Sequence, residues 1–309
     1  MSRAAPDGPS GLLVVDKPGG LTSHDVVGRV RRLAHTRKVG HAGTLDPMAT
    51  GVLLLGVNRA TRLLGHLALS DKAYDATVRL GFATTTDDAE GEPLPGVTPT
   101  GHSLHTLRGE RGSIDAALQG MVGEVDQVPS SVSAVKVDGK RAYARVRAGE
   151  AVELPARRVR IDEITVHDVR LVEDWVDVDL SVRCSSGTYV RAIARDLGEA
   201  LGVGGHLTAL RRTSIGSGAR AVTLADATPL DDLTEDLPLM GLGEAARRFF
   251  PFVEVGEEEQ VRVGHGKRLS LGLTTGPTAV LGPGGDLLGL YAPAPAREDG
   301  DSKPVAVFL

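Results

Sequence analysis

Apolar positions in this chain fall into short, separate rhythms. Gly11-Leu12-Leu13-Val14-Val15 predicts a first strand, and Asp16-Lys17-Pro18-Gly19-Gly20 predicts the turn after it. Ser23 is expected to cap a helix in which Val26, Val27, Val30 and Leu33 recur at helical spacing. Val52-Leu53-Leu54-Leu55 predicts a buried strand, and a helix carrying Leu63, Leu64 and Leu67 is expected from Asn58. Tyr74, Ala76, Val78 and Leu80 alternate with polar or charged residues, which predicts a half-buried strand.

Residues 84–112 are polar, acidic and rich in glycine, and predict a long surface excursion. A short helix is expected over Ile114 to Met121. Residues 126–150 predict a short strand, a hairpin turn at Asp138-Gly139 and a helix around Tyr143 to Ala148. Two alternating stretches near 159–171 and 175–184 predict strands paired antiparallel across Glu173-Asp174. Residues 188–201 predict a helix ended by Gly202, with Val190, Ile193, Ala194, Leu197 and Leu201 on one side. A last strand is expected near 215–222, then an acidic connector over 229–248 with some helix. From Phe249 onward, short strands are expected at 252–255, 260–263, 278–281, 286–291 and 304–308. The pattern predicts an α+β fold: a mixed, largely antiparallel central sheet flanked by helices, followed by a small all-β domain.

Composition narrows the possibilities. A chain of 309 residues suits one large or two modest domains. It is 41% hydrophobic but only 3% aromatic, so the core must be aliphatic. No apolar run is long enough for a bilayer, and Met1 to Ser10 lacks the apolar stretch of a signal peptide; this lead is expected to be disordered. The single cysteine, Cys184, excludes an internal disulfide and a cysteine-based zinc site, and points to the cytoplasm. It is expected to be a small buried residue. His102 and His105 lack a third ligand nearby, so no metal site is expected. Gly202-Val203-Gly204-Gly205 ends a helix instead of opening one, and there is no phosphate-binding loop, so no nucleotide cofactor is expected.

The net charge of −5 weighs against a nucleic-acid partner, but its distribution is uneven. Residues 1–50 balance at +3, and residues 251–309 at −3. Arg29, Arg31, Arg32, Arg37 and Lys38 fall within ten residues, a cluster suited to phosphates.

Just beyond that cluster stands Gly40-His41-Ala42-Gly43-Thr44-Leu45-Asp46-Pro47-Met48-Ala49-Thr50-Gly51. It places one carboxylate, Asp46, at a bend bounded by glycines and followed by a buried strand. The string resembles the active-site loop of the TruB family of tRNA pseudouridine synthases, in which the aspartate is the catalytic carboxylate. Four further segments resemble that family in order: Asp16 to Ser23, Lys72-Ala73-Tyr74, Gly187-Thr188-Tyr189-Val190-Arg191 and Leu207-x-x-Leu210-Arg211-Arg212-Thr213.

The resemblance implies the pseudouridine synthase fold over 11–228, a connector over 229–248 and a PUA-like β domain over 249–309. It implies that Arg191 pairs with Asp46 and keeps it ionised, that Tyr189 lines the site, and that Tyr74 stacks on the uracil and acts as a late general base. It gives Leu210 an apolar wall for the base, His41 a part in holding the RNA open after base flipping, and Lys17 a structural or RNA-contacting place. Val128 to Tyr143 resembles the RNA-gripping insertion, about 126–150, with Lys136, Lys140 and Arg141 beside Arg145 and Arg147. Here the family's Pro-Pro is Pro129-Ser130, a departure expected to loosen the local turn but to touch no catalytic atom.

The implied reaction isomerises uridine-55 in the T arm of tRNA. The N1–C1′ bond breaks, the uracil turns, and a C5–C1′ bond forms. Nothing is oxidised and no group arrives from outside, so neither cofactor nor metal is implied. Three roles stay open for the carboxylate: attack at C1′, attack at C6, or removal of the C2′ proton. The implied partner is the tRNA T-arm stem-loop, met by a monomer with no guide RNA and no membrane. A guide-RNA-dependent synthase is disfavoured by the lack of a basic extension. A purely RNA-folding protein would have no need of Asp46.

Overall fold

The computed structural model describes residues 8–95, 111–130, 136–137, 140–141, 154–297 and 300–309. In chain order its strands are β1 (Gly11–Lys17), β2 (Val39–His41), β3 (Thr50–Val57), β4 (Lys72–Leu80), β5 (Gly123–Gln127), β6 (Lys136–Val137), β7 (Lys140–Arg141), β8 (Arg157–Val172) and β9 (Trp175–Cys184). They continue with β10 (Gly205–Ile215), β11 (Val222–Thr223), β12 (Thr228–Pro229), β13 (Met240–Gly241), β14 (Phe252–Glu254), β15 (Thr278–Leu281), β16 (Leu287–Arg297) and β17 (Gly300–Val307). The chain divides into two compact units: residues 1–46, 52–68 and 216–309 form one, and residues 47–51 and 69–215 the other.

In the first unit, β1 pairs with β12 in parallel and with β13 antiparallel, and β2 pairs antiparallel with β3. The runs Leu12 to Val15 and Val52 to Leu55 are buried throughout, as continuous apolar strands covered on both faces must be. The Ser23–Leu33 helix buries Val26, Val27 and Val30. Its cap is Thr22, not the expected Ser23. Thr22 and Asp25 form a reciprocal capping box, which satisfies two main-chain donors where a lone serine would satisfy one. The helix expected from Asn58 begins as a 3-10 turn over Asn58–Leu63 and becomes α-helical only over Leu64–Leu67.

The same unit carries the small sheet β14-β15-β16-β17. Its core holds Val263, Leu269, Val280, Leu288 and Tyr291. The strand expected at 260–263 is a helix instead, Glu257–Gly264. The acidic first turn of that helix, Glu257, Glu258 and Glu259, complements its dipole, and Glu259 accepts from the Gly256 amide. The stretch 229–248, expected as a connector with some helix, supplies the helix Leu242–Phe249 and also β13.

The second unit is an antiparallel sheet in the order β10-β4-β9-β8-β5. β8 and β9 pair across Glu173-Asp174 as expected, with Glu173 in the left-handed region at φ 55°. The Val190–Ala200 helix packs on β10 and β4 and buries Val190, Ile193, Ala194 and Leu197. Gly198 and Gly205 permit that approach: a Cβ on Gly198 would lie 2.1 Å from the Gly205 nitrogen. The last strand lies at Gly205–Ile215, not near 215–222. Register shifts at Leu207/Ala209 and Arg212/Ser214 break the two-residue alternation that would have revealed it. β6 and β7 pair antiparallel on either side of residues 138–139. The helix expected at Tyr143 to Ala148, with Arg145 and Arg147, lies outside the described residues, as do His102 and His105. Cys184 is buried as expected, and burial pushes its thiol up to about 11.

Candidate active site

The loop from Ala42 to Ala49 joins β2 to β3. Ala42, Leu45 and Ala49 are buried, so three apolar anchors hold it to the core while Asp46 stays half-buried. The Ala42 amide donates to the Leu54 carbonyl at 2.9 Å. At the loop's end, Thr50 and Gly51 pair in parallel with Arg211 and Arg212 of β10, and Arg211 donates to the Thr50 hydroxyl at 3.2 Å. Gly51 sits at φ 99°, and a Cβ there would lie 2.2 Å from the Arg212 carbonyl oxygen, so no other residue fits.

Other predicted residues of the first unit occupy distinct settings. His41 ends β2, its ring edge-on to His24 at 5.6 Å. Lys17 is fully buried, and its ammonium donates to the Pro18 and Leu21 carbonyls at 2.9 and 2.6 Å, closing the turn after β1. Arg29 pairs with Asp231 at 2.6 Å, and Arg31 donates to the Val39 carbonyl. Arg32, Arg37 and Lys38 are exposed.

In the second unit, Tyr74 lies on the buried face of β4, cross-strand from Arg212 and next along that face to Ala76, which pairs with Leu210. Lys72 shares the face. Burial, with Arg212 nearby, pushes its ammonium down to about 8. Tyr189 is the first residue before the Val190–Ala200 helix, and the Gln127 side chain holds it by both main-chain groups: Gln127 Oε1 accepts from its amide at 2.8 Å, and Nε2 donates to its carbonyl at 3.1 Å. Lys136, Lys140 and Arg141 lie on β6 and β7.

Arg191 is only 4% exposed. Its guanidinium meets Asp88 at 3.4 Å and donates to the Thr86 carbonyl at 2.8 Å and the Ser130 hydroxyl at 3.2 Å. One helical turn on, Arg195 meets Asp87 at 3.4 Å. Burial raises the Asp87 carboxyl, against the pull of Arg195. Two arginines four apart on one helix face thus meet two consecutive aspartates. The expected surface excursion is therefore partly interior: Thr84, Asp87 and Asp88 are buried, and Asp88 bridges to Leu207 of β10. Asp88 and Gln127 escape sequence reasoning because their burial depends on segments remote in the chain, and Ser130, expected to touch no catalytic atom, instead accepts from the Arg191 guanidinium because the fold brings it against that helix. The only local signal was an acidic pair ending a run of threonines.

The outer face of this sheet differs in chemistry. An open groove of about 710 Å³ is lined by Asp75, Thr77, Asp179 and Ser181 together with Met48 of the Asp46 loop and the predicted wall residue Leu210. Ser181 donates to Asp75 at 2.7 Å, and Thr77 donates to Asp179 at 2.6 Å. These four side chains satisfy one another in pairs.

Residues 31–190 match the family described as TruB family pseudouridylate synthase, N-terminal domain. The chain belongs to the TruB family of pseudouridine synthases. Residues 191–238 match the tRNA pseudouridylate synthase B C-terminal domain, and residues 250–309 the tRNA pseudouridine synthase II C-terminal domain. The chain is 53% identical over 310 aligned residues to tRNA pseudouridine synthase B of Arthrobacter sp. (strain FB24), covering 97% of this chain and 96% of that one. It is 52% identical over 302 residues to the protein of the same name in Thermobifida fusca (strain YX), covering 96% and 98%. Among solved structures, a Cbf5-Nop10-Gar1 complex contains a chain that aligns with a TM-score of 0.68 at 23% identity, over 97% of this chain and 85% of that chain; this likeness is one of fold. The chain is thus a TruB family enzyme with the pseudouridine synthase fold and a PUA-like C-terminal domain. Among the described residues no helix is long and apolar enough to cross a membrane.

Proposed function

We propose that this chain converts uridine-55 in the T arm of tRNA to pseudouridine, acting without a guide RNA in the cytoplasm, with Asp46 as the catalytic carboxylate. The observation that carries the reading is the Gly40–Gly51 loop. It keeps the whole family pattern, and it presents a half-buried carboxylate between buried anchors. The names of the relatives, tRNA pseudouridine synthase B, support tRNA as the substrate.

In this reading the target base leaves its stack, because C1′ and the uracil are out of reach inside a folded T loop. Recognition rests mainly on the shape of that loop, as is usual for structured RNA. Asp46 acts at the sugar or the base, and Arg191 keeps it ionised. Asp88, Thr86 and Ser130 hold the Arg191 guanidinium, so its position is set before substrate arrives. Tyr74 stacks on the uracil and takes the C5 proton after the new bond forms. Leu210 forms the apolar wall and Tyr189 lines the site. His41 fills the space left by the flipped base, and Arg32, Arg37 and Lys38 meet phosphates.

The test is to incubate the purified chain with unmodified tRNA transcript alone and map pseudouridine. Modification at position 55 is the expected result. Modification elsewhere, or none without added guide RNA, overturns the proposal.

A further inference from the structure

We infer that Ser23 is a positioning residue for Asp46. The inference rests on the proposed reading that Asp46 does the chemistry. Ser23 opens the Ser23–Leu33 helix, but its hydroxyl does not cap it. That task falls to Thr22, whose hydroxyl accepts from the Asp25 amide at 3.1 Å while Asp25 accepts from the Thr22 amide at 2.8 Å. The Ser23 hydroxyl instead reaches the catalytic loop. It accepts from the Leu45 amide at 2.9 Å and donates to the Leu45 carbonyl at 3.1 Å. Ser23 is 1% exposed and Leu45 3%, so both bonds are shielded from water.

One hydroxyl thus holds both main-chain groups of the residue before Asp46. The Leu45 carbonyl lies in the peptide plane that also contains the nitrogen and Cα of Asp46, and the Leu45 amide lies in the plane before it. Holding both planes sets the two backbone dihedrals of Leu45, and with them the point from which the Asp46 side chain departs. Pro47 restricts the backbone of Asp46 from the other side. The anchor is itself rigid, since Val26, Val27 and Val30 seat the helix in the core. Serine suits the task because a hydroxyl both donates and accepts. Alanine would leave two buried main-chain groups without this partner.

The test compares wild type, Ser23→Ala and Asp46→Asn in single-turnover pseudouridine formation at saturating tRNA transcript. Transcript affinity and amide hydrogen exchange are measured alongside. Ser23→Ala is expected to lower the rate constant by about 10- to 100-fold, as a small misplacement of a reacting group does. Its tRNA Kd should stay within about twofold of wild type, since the interaction serves the reaction and not binding. Exchange should speed up at Leu45 and Asp46 while the core of the Ser23–Leu33 helix keeps its protection.

A wild-type rate constant in Ser23→Ala overturns the inference. So does a loss confined to affinity, or faster exchange spread evenly over the whole unit. Should Ser23→Ala fail to fold, Ser23→Cys takes its place, with a thiol too long and too weak a donor for the same two bonds. A folded Cys variant at the wild-type rate is equally fatal. Turnover by Asp46→Asn would instead sink the underlying reading. An inactive Asp46→Asn beside a fully active Ser23→Ala would remove Ser23 alone.

Discussion

The Asp46 loop and the start of the Val190–Ala200 helix hold charged groups in opposite ways. Asp46 is half-buried, and its loop is steadied through main-chain bonds and apolar anchors: the Ser23 hydroxyl on Leu45, the buried Ala42 and Ala49, and the pairing of Gly51 with Arg212. Arg191 is almost wholly buried, and its side chain is steadied by another charge, Asp88, and by two polar oxygens. Half-burial leaves the Asp46 carboxylate a path to solvent, as the proposed chemistry requires. A guanidinium that must stay put is enclosed with a counter-charge, because an unpaired buried charge is costly.

The comparison yields graded outcomes. Asp46→Asn keeps shape and removes charge, so it should cut pseudouridine formation by at least about a thousandfold while T-arm binding survives. Rapid turnover would remove Asp46 from the chemistry. Arg191→Met and Asp88→Asn should each cost about 10- to 100-fold in rate, and their effects should overlap in the double variant, because both act through one guanidinium. Fully additive losses in a double-mutant cycle would show that Asp88 acts independently of Arg191. Gly51→Ala tests the loop side. Its Cβ has no room at the Arg212 carbonyl, so unfolding free energy should fall by about 2–4 kcal/mol, read from urea melts. An unchanged midpoint would mean that the pairing at the loop's end yields easily.

The smallest effect concerns the buried face that Tyr74 shares with Lys72. The Lys72 ammonium is held down to about 8, against roughly 10.4 in an unfolded chain. Between those values the unfolded chain carries more of the proton, so this residue's contribution to stability rises with pH and is least favourable below 8. Comparing wild type with Lys72→Met should therefore show the balance moving toward wild type by about 2 kcal/mol between pH 8 and 10.5. A difference independent of pH would show that the amine is not perturbed.

Much of this was legible in local sequence. The runs at Leu12 and Val52, the hairpin at Glu173-Asp174 and the helix after Tyr189 could be placed because each signal lies within a few residues of chain. The Asp46 loop was legible for the same reason. β10 was misplaced because two register shifts erased its alternation, and the helix at Glu257 was read as a strand because Val261 and Val263 dominated its pattern.

What the sequence determined on its own was the rhythm of buried and exposed positions and the identity of the loop that carries Asp46. Tertiary structure alone decided which partners the candidate site residues and their supports take: that Thr22 caps the helix and leaves Ser23 to Leu45, that Gln127 clamps Tyr189, and that Asp88 meets Arg191 across about a hundred residues of chain. Periodicity reports only on neighbours along the backbone. Partners in a buried polar network are chosen by where sheet and helix bring distant segments together, and by the need to satisfy every polar group removed from water.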